Sequence, residues 1–246
     1  MVSLINKVAI VTGASRSIGK AIALRLAENG AIVVVNYRSG ADEAQAVVDE
    51  ITSKGGQAIA MQADIGKIAD IRRLFQRVID LFGKLDILVN NAGIARGGLV
   101  AEVSEEDYNA VFDLNVKGVL FCLQEAALRM QDNGRIVNVS SSTTLFPSSG
   151  GAVYAASKAA EKLFTEVLAK ELGGKGITVN SVVPGPTSPG MFDNAPPEHQ
   201  KMASASSPFN RLGQPEDIAD VVSFLVSEES RWITGQHILA NGGATI

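Results

Sequence analysis

Cysteine occurs once in the 246 residues, as Cys122, which rules out an intrachain disulfide and a cysteine-built zinc ribbon. Histidine is nearly as scarce: His199 and His237 stand far apart with no carboxylate-rich cluster beside them, so no metal site is expected. Charge of one sign is lacking too, because 22 Lys and Arg against 26 Asp and Glu leave a net −4, and both signs are scattered. That excludes the basic footprint of a nucleic-acid binder. No apolar run approaches the roughly 20 residues that span a bilayer, and Met1 to Lys7 does not resemble an export signal. A cytoplasmic protein with neither membrane nor nucleic-acid partner is the expectation.

What the chain does have is 46% hydrophobic residues and 24 glycines. Short apolar runs rich in β-branched residues alternate with longer segments of helical periodicity, as in a parallel sheet with crossover helices. Strands are predicted at Val8 to Val11, Ile32 to Asn36, Gln57 to Gln62, Asp86 to Asn90, Arg135 to Ser140, Thr178 to Val183 and near His237. Helices are predicted at about Ile18 to Glu28, Asp42 to Ser53, Ile68 to Phe82, Ser104 to Met130, Val153 to Leu172 and Pro215 to Ser227. Six of the eight prolines fall between Pro184 and Pro208, so residues 184–210 read as an irregular loop or lid with at most short helices. The expected architecture is α/β: one doubly wound domain over residues 1–246, a seven-stranded parallel sheet with helices on both faces.

Between the first strand and the first helix lies Thr12-Gly13-Ala14-Ser15-Arg16-Ser17-Ile18-Gly19, where a glycine-rich turn can aim backbone donors at a phosphate. It is not a nucleoside-triphosphate loop. Five residues separate Gly13 from Gly19 where that loop needs four, and Ala21 replaces the magnesium-binding hydroxyl. No Gly-x-Ser-x-Gly hydrolase elbow occurs either. The tip of strand two, Asn36-Tyr37-Arg38-Ser39, lacks the carboxylate that would accept from an adenosine ribose, while Arg38 and Arg16 can bind an added phosphate. NADP(H) is therefore favoured over NAD(H).

Tyr154 and Lys158 are four apart on a predicted helix and share a face, just beyond the carboxyl end of the strand that Ser141 closes. Taken with Thr12 to Gly19, Asn90-Asn91-Ala92-Gly93, Asn115 and Pro184-Gly185, in this order and spacing, these residues resemble the short-chain dehydrogenases/reductases over nearly the whole chain. Within that Rossmann-fold family, the sequence looks most like the bacterial 3-oxoacyl carrier-protein reductase and carbonyl reductase branch. The resemblance implies an enzyme passing hydride between NADP(H) and a carbonyl or secondary alcohol. It makes Tyr154 the acid that protonates the carbonyl oxygen, with Lys158 stabilising its phenolate and holding the nicotinamide ribose. Ser141 becomes a donor to the substrate oxygen, chosen over Ser140 and Ser142 by family spacing, and Asn115 the holder of a relay water. It further assigns Gly13, Ser15, Arg16, Ser17, Ile18, Gly19 and Gly185 to the cofactor, with Asp64 at the adenine, Asn90 along the adenosine half and Thr187 at the nicotinamide end.

Ser17 departs from the family, which usually has glycine there. A backbone with φ below zero would accept its Cβ, and otherwise the side chain would crowd the pyrophosphate. Asn241-Gly242-Gly243 likewise replaces the commoner Asp-Gly-Gly. Leu145, Phe146, Met191 and Phe192 are candidates for the pocket wall and suit a small hydrophobic ketone or acyl chain. In Met130 to Gly134 and Leu172 to Gly176, only Lys175 offers a basic docking point for a carrier protein, which tilts the expectation toward a free small molecule. The resemblance also implies a homotetramer, for which Phe112, Val116, Phe121 and Leu123 are the local hints. A cofactor-binding sensor or a scaffold without turnover is the alternative reading.

Overall fold

A computed structural model describes residues 2–244. The predicted strands form one sheet: β1 (Val8–Val11), β2 (Ile32–Tyr37), β3 (Gln57–Gln62), β4 (Ile87–Asn90), β5 (Arg135–Val139), β6 (Thr178–Pro184) and β7 (His237–Ala240), all parallel, in the order β3-β2-β1-β4-β5-β6-β7. The chain turns outward in opposite directions from β1 and β4, which opens a crevice at their carboxyl ends. Strands β1, β4, β5 and β6 are buried along their whole length, hence their unbroken apolar runs. Alternation still sorts their side chains. Ala9, Val11, Val33, Val35, Ile87, Val89 and Val137 feed one core, under α1 (Ser17–Glu28), α2 (Ala41–Ser53) and α8 (Pro215–Leu225). Val8, Ile10, Val34, Leu88 and Ile136 feed the other, under α3 (Ile68–Phe82), α5 (Val119–Arg129) and α6 (Ala152–Leu172).

Two segments depart from expectation. The single helix predicted over Ser104 to Met130 begins as foreseen, with Ser104 Oγ accepting from the Asp107 amide at 3.0 Å, but it is interrupted. After α4 (Glu105–Phe112) the backbone widens into a π-helical turn, Asp113–Gly118, before α5. Hydrophobic periodicity does not show this, because α4 and α5 are only 8 and 11 residues long and each keeps its own regular phase, so the offset of about a quarter turn between them falls within the width of one apolar stripe; such turns gather at functional sites. The proline-rich segment holds a ten-residue helix, α7 (Pro197–Ser206), as well as a short 3-10 turn at Met191–Asn194. No residue of α7 is buried, so it has no apolar stripe to announce it. Among the described residues no helix is long and apolar enough to cross a membrane, and no His, Cys, Asp and Glu cluster could hold a metal.

Candidate active site

The turn after β1 is built for close approach. Gly13 takes φ +62°, and a Cβ on Gly19 would fall within 2.3 Å of the Gly13 carbonyl. Asn36 braces the turn from beneath: its Oδ1 accepts from the Gly13 amide while its Nδ2 donates to the Met61 and Ala63 carbonyls. Asn91 donates to the carbonyls of Thr12 and Gly13, and Thr12 Oγ1 accepts from the amides of Asn91 and Ala92. Helix α1 then starts at Arg16 with no side-chain cap and no acidic residue in its first turn, leaving its N-terminal donors open to an anion. Ser15 is half-buried and Arg16 exposed, while Ile18 packs on the core and presents its main chain to the turn.

Ser17 adopts φ +50°, the condition under which crowding was expected, and its hydroxyl donates to the Pro189 carbonyl at 2.7 Å. Arg38 is exposed and lines a cleft with Gln62, Asp64, Lys67, Asp70 and Arg73, so Lys67 and Arg73 are cations that sequence reasoning missed. Asp64 Oδ1 accepts from the Gly66 amide at 2.9 Å. The side chain of Asn90 turns away from the crevice: it is buried and donates to Asn138 Oδ1 at 2.9 Å, so any contact with a cofactor falls to its main chain.

At the far side of the crevice, Ser141 follows the end of β5, and α6 carries Tyr154, half-buried and close enough for its charge to act on Lys158. Ser140 is buried toward α6, its hydroxyl on the Lys158 carbonyl at 3.4 Å. Ser141 is half-buried at the strand end, and its Oγ accepts from both the amide and the hydroxyl of Thr143, at 3.3 and 3.0 Å. Its own proton is thus left to donate. Lys158 is 3% exposed and donates to the Val139 carbonyl at 2.7 Å and to Glu161 Oε2 at 2.8 Å. An ammonium carries three donors, so one remains for the crevice. Burial pulls the Lys158 pKa down, but the charges of Glu161 and Tyr154 and the Glu161 hydrogen bond outweigh it, and the net shift is upward.

Asn115, in the π turn, is fully buried and both donors of its side-chain amide are taken. Oδ1 accepts from the Ile94 amide, and Nδ2 donates to the Ile94 carbonyl and to Ser157 Oγ. A Cβ on Gly93 would sit 3.3 Å from Asn115 Oδ1 and 3.6 Å from Lys158 Nζ, so glycine keeps open the space beside both. Glu161 and Ser157 escaped sequence reasoning. Their spacing of three and minus one from Lys158 on a helix was the available signal, but it does not separate a buried partner from a solvated one.

Beyond β6, Gly185 lies against Asn241, and Thr187 is buried with its hydroxyl on the Gly185 carbonyl at 2.9 Å. Leu145, Phe146 and Met191 are exposed and Phe192 is half-buried, so all four stay at the surface. The open turn, uncapped helix, glycine-lined gap and spare lysine donor fit a nicotinamide dinucleotide laid across the carboxyl ends of β1 and β4.

Comparison with known proteins supports the same conclusion. A family model described as Enoyl-(Acyl carrier protein) reductase matches residues 13–245. The chain is 46% identical over 248 residues to an uncharacterised oxidoreductase of Methylorubrum extorquens, with 99% of each chain covered. It is 43% identical over 240 residues to a 3-oxoacyl-acyl-carrier-protein reductase of Staphylococcus aureus, covering 97% of this chain and 98% of the relative. A short-chain dehydrogenase from Burkholderia cenocepacia, solved in complex with NADP, superposes with a TM-score of 0.93 at 43% identity, covering 99% of both chains.

Proposed function

The chain belongs to the short-chain dehydrogenase/reductase family, and on that premise we propose which of its residues carry the reaction. It is an NADPH-dependent oxidoreductase that reduces a carbonyl to an alcohol. The relatives reported above are named for oxidoreductase activity, and none favours the sensor alternative. The observation that carries the site assignment is the buried Lys158 ammonium one helical turn from Tyr154, with a donor to spare.

When bound, NADPH supplies the hydride that the carbonyl carbon accepts. Gly13 to Gly19 and the open end of α1 hold the pyrophosphate, Arg38 with Lys67 takes the 2′-phosphate, and Lys158 holds the nicotinamide ribose hydroxyls. Ser141, its oxygen occupied by Thr143, donates to the substrate oxygen and orients it. Tyr154 gives its hydroxyl proton to that oxygen as the C–O double bond opens, and the phenolate left behind is stabilised by Lys158 until solvent returns a proton. Asn115 fixes residue 94 and Ser157 behind the lysine, which keeps the path for that proton in place.

Leu145, Phe146, Met191 and Phe192 favour a small hydrophobic ketone or 3-oxoacyl-type substrate, with residues 184–210 as a lid. For assembly we propose a homotetramer, supported by apolar side chains left uncovered on α5 and α6: Leu128 is 71% exposed, Leu163 61% and Val167 54%. Leu123, one of the residues expected to hint at this, belongs instead to the chain's own core, and Phe121 packs against that core. A cytoplasmic location is in keeping with the sole, buried cysteine. The test is nicotinamide absorbance with NADPH or NADH and a panel of ketones, β-ketoesters, diketones and quinones. Turnover with NADPH that Tyr154→Phe abolishes supports the assignment, and turnover that survives the substitution overturns it.

A further inference from the structure

Glu161 is a buried carboxylate with no part in the chemistry above. It is 1% exposed on the sheet-facing side of α6, one turn beyond Lys158, with Oε2 on the lysine ammonium at 2.8 Å and Oε1 buried without a hydrogen-bond partner. An isolated buried anion is costly, and a half-satisfied one is poor packing material. The same face of the helix continues as Thr165, Leu168 and Leu172, so an apolar residue would fill the position. The carboxylate is therefore retained at a cost, directly against the one cation that works on the tyrosine.

We propose that Glu161 is a positioning residue for the reduction: its carboxylate tethers the Lys158 ammonium beside the Val139 carbonyl and its charge offsets that of the lysine, which weakens the pull of the ammonium on the Tyr154 hydroxyl. This rests on the site assignment above. The lysine field that favours the phenolate is weakened by an anion on its other side, and a tyrosine that stays protonated is an acid for carbonyl reduction, not a base for alcohol oxidation. The charges that act on Lys158 are those of Glu161 and Tyr154, and the charge that acts on Glu161 is that of Lys158. Charged groups on the surrounding elements are engaged elsewhere. Arg96 pairs with Asp107 and Glu106 of α4, Lys117 with Asp113 in the π turn, and Glu125 of α5 with Arg129 and Arg72. Glu166, farther along α6, binds His237, and Arg135 at the other end of β5 binds Glu228. From the sheet come Asn90, Asn138 and Ser140, none of which titrates.

The direct test is a pH titration of phenolate absorbance in the NADP-saturated protein, wild type and Glu161→Gln, each referenced to the same protein carrying Tyr154→Phe so that Tyr37 and Tyr108 cancel. The expected result is a Tyr154 midpoint about one pH unit lower in Glu161→Gln, with Glu161→Asp moving back toward wild type. Glu161→Met, also uncharged, carries the same expectation if the glutamine variant does not fold. A midpoint that is unchanged or higher without the carboxylate overturns the proposal. Because the readout needs no turnover, it is separate from the site assignment, which Tyr154→Phe tests by loss of ketone reduction.

Discussion

Ser17 and Pro189, 172 residues apart, are joined by a hydrogen bond of 2.7 Å from the serine hydroxyl to the proline carbonyl, tying the turn after β1 to the proline-rich segment after β6. The same serine sits at φ +50°, a conformation in which a Cβ is strained. Ser17→Ala keeps the strain and loses the tether, whereas Ser17→Gly loses both. Amide exchange over residues 188–194 should therefore rise in both variants. The glycine variant should be the more stable of the two, by about 1 kcal/mol in urea unfolding. Unchanged exchange in the alanine variant would show that the bond does not hold residues 188–194.

Lys158 and Glu161 also make a stability prediction. Burial pushes the Glu161 carboxyl up from 4.5 to about 6, a rise that the lysine charge and hydrogen bond only partly offset. A raised acid stabilises the fold fully below its unfolded value and loses that contribution as pH climbs through the folded one. The stability of wild type relative to Glu161→Gln should accordingly fall between about pH 4.5 and 6. Lys158→Met, which leaves the carboxylate buried alone, should cost about 3 kcal/mol near neutral pH, and adding Glu161→Met should recover most of it. Chemical denaturation of the four proteins measures this, and activity should not return with stability.

Asn115 makes three hydrogen bonds from a fully buried position. Asn115→Ala leaves the amide and carbonyl of residue 94 without partners and should destabilise by about 2–4 kcal/mol. Reduction should slow through a lower kcat more than a higher NADPH KM, since the side chain holds residue 94 and Ser157, the neighbour of Lys158, rather than the phosphate turn. A changed KM with kcat intact would contradict that placement.

Arg38 is exposed in a cleft it shares with Lys67 and Arg73. Arg38→Ala should raise the KM for NADPH about tenfold while leaving that for NADH within about twofold. Initial-rate kinetics with each nucleotide decide it, and equal effects on both would move the 2′-phosphate contact away from Arg38.

Local order was readable in the chain because the central strands are short unbroken apolar runs and most helices bury one stripe. The run Ile87, Leu88, Val89 reads as a doubly covered strand and is one. The identity of the reaction was legible for a related reason: Ser141, Tyr154 and Lys158 lie on two elements adjacent in sequence, so their spacing survives translation into space. The break in the Ser104 to Met130 helix was not legible, since the short helices on either side each keep a regular phase and the offset between them fits within one apolar stripe. Nor was α7, which buries nothing, or the inward turn of Asn90, which depends on a neighbour 48 residues away.

By itself, then, the sequence determined the α/β alternation, the phosphate turn, the lack of a carboxylate at the tip of β2 and the Tyr154–Lys158 pair, all set by contacts within a few residues or one turn. Tertiary structure decided what long-range packing sets. It directed Ser140 into α6, gave Ser17 a partner in the proline-rich segment, and gathered Lys67 and Arg73 beside Arg38. It also buried Glu161 against Lys158, because only the closed sheet beneath α6 removes that carboxylate from water and makes its charge felt.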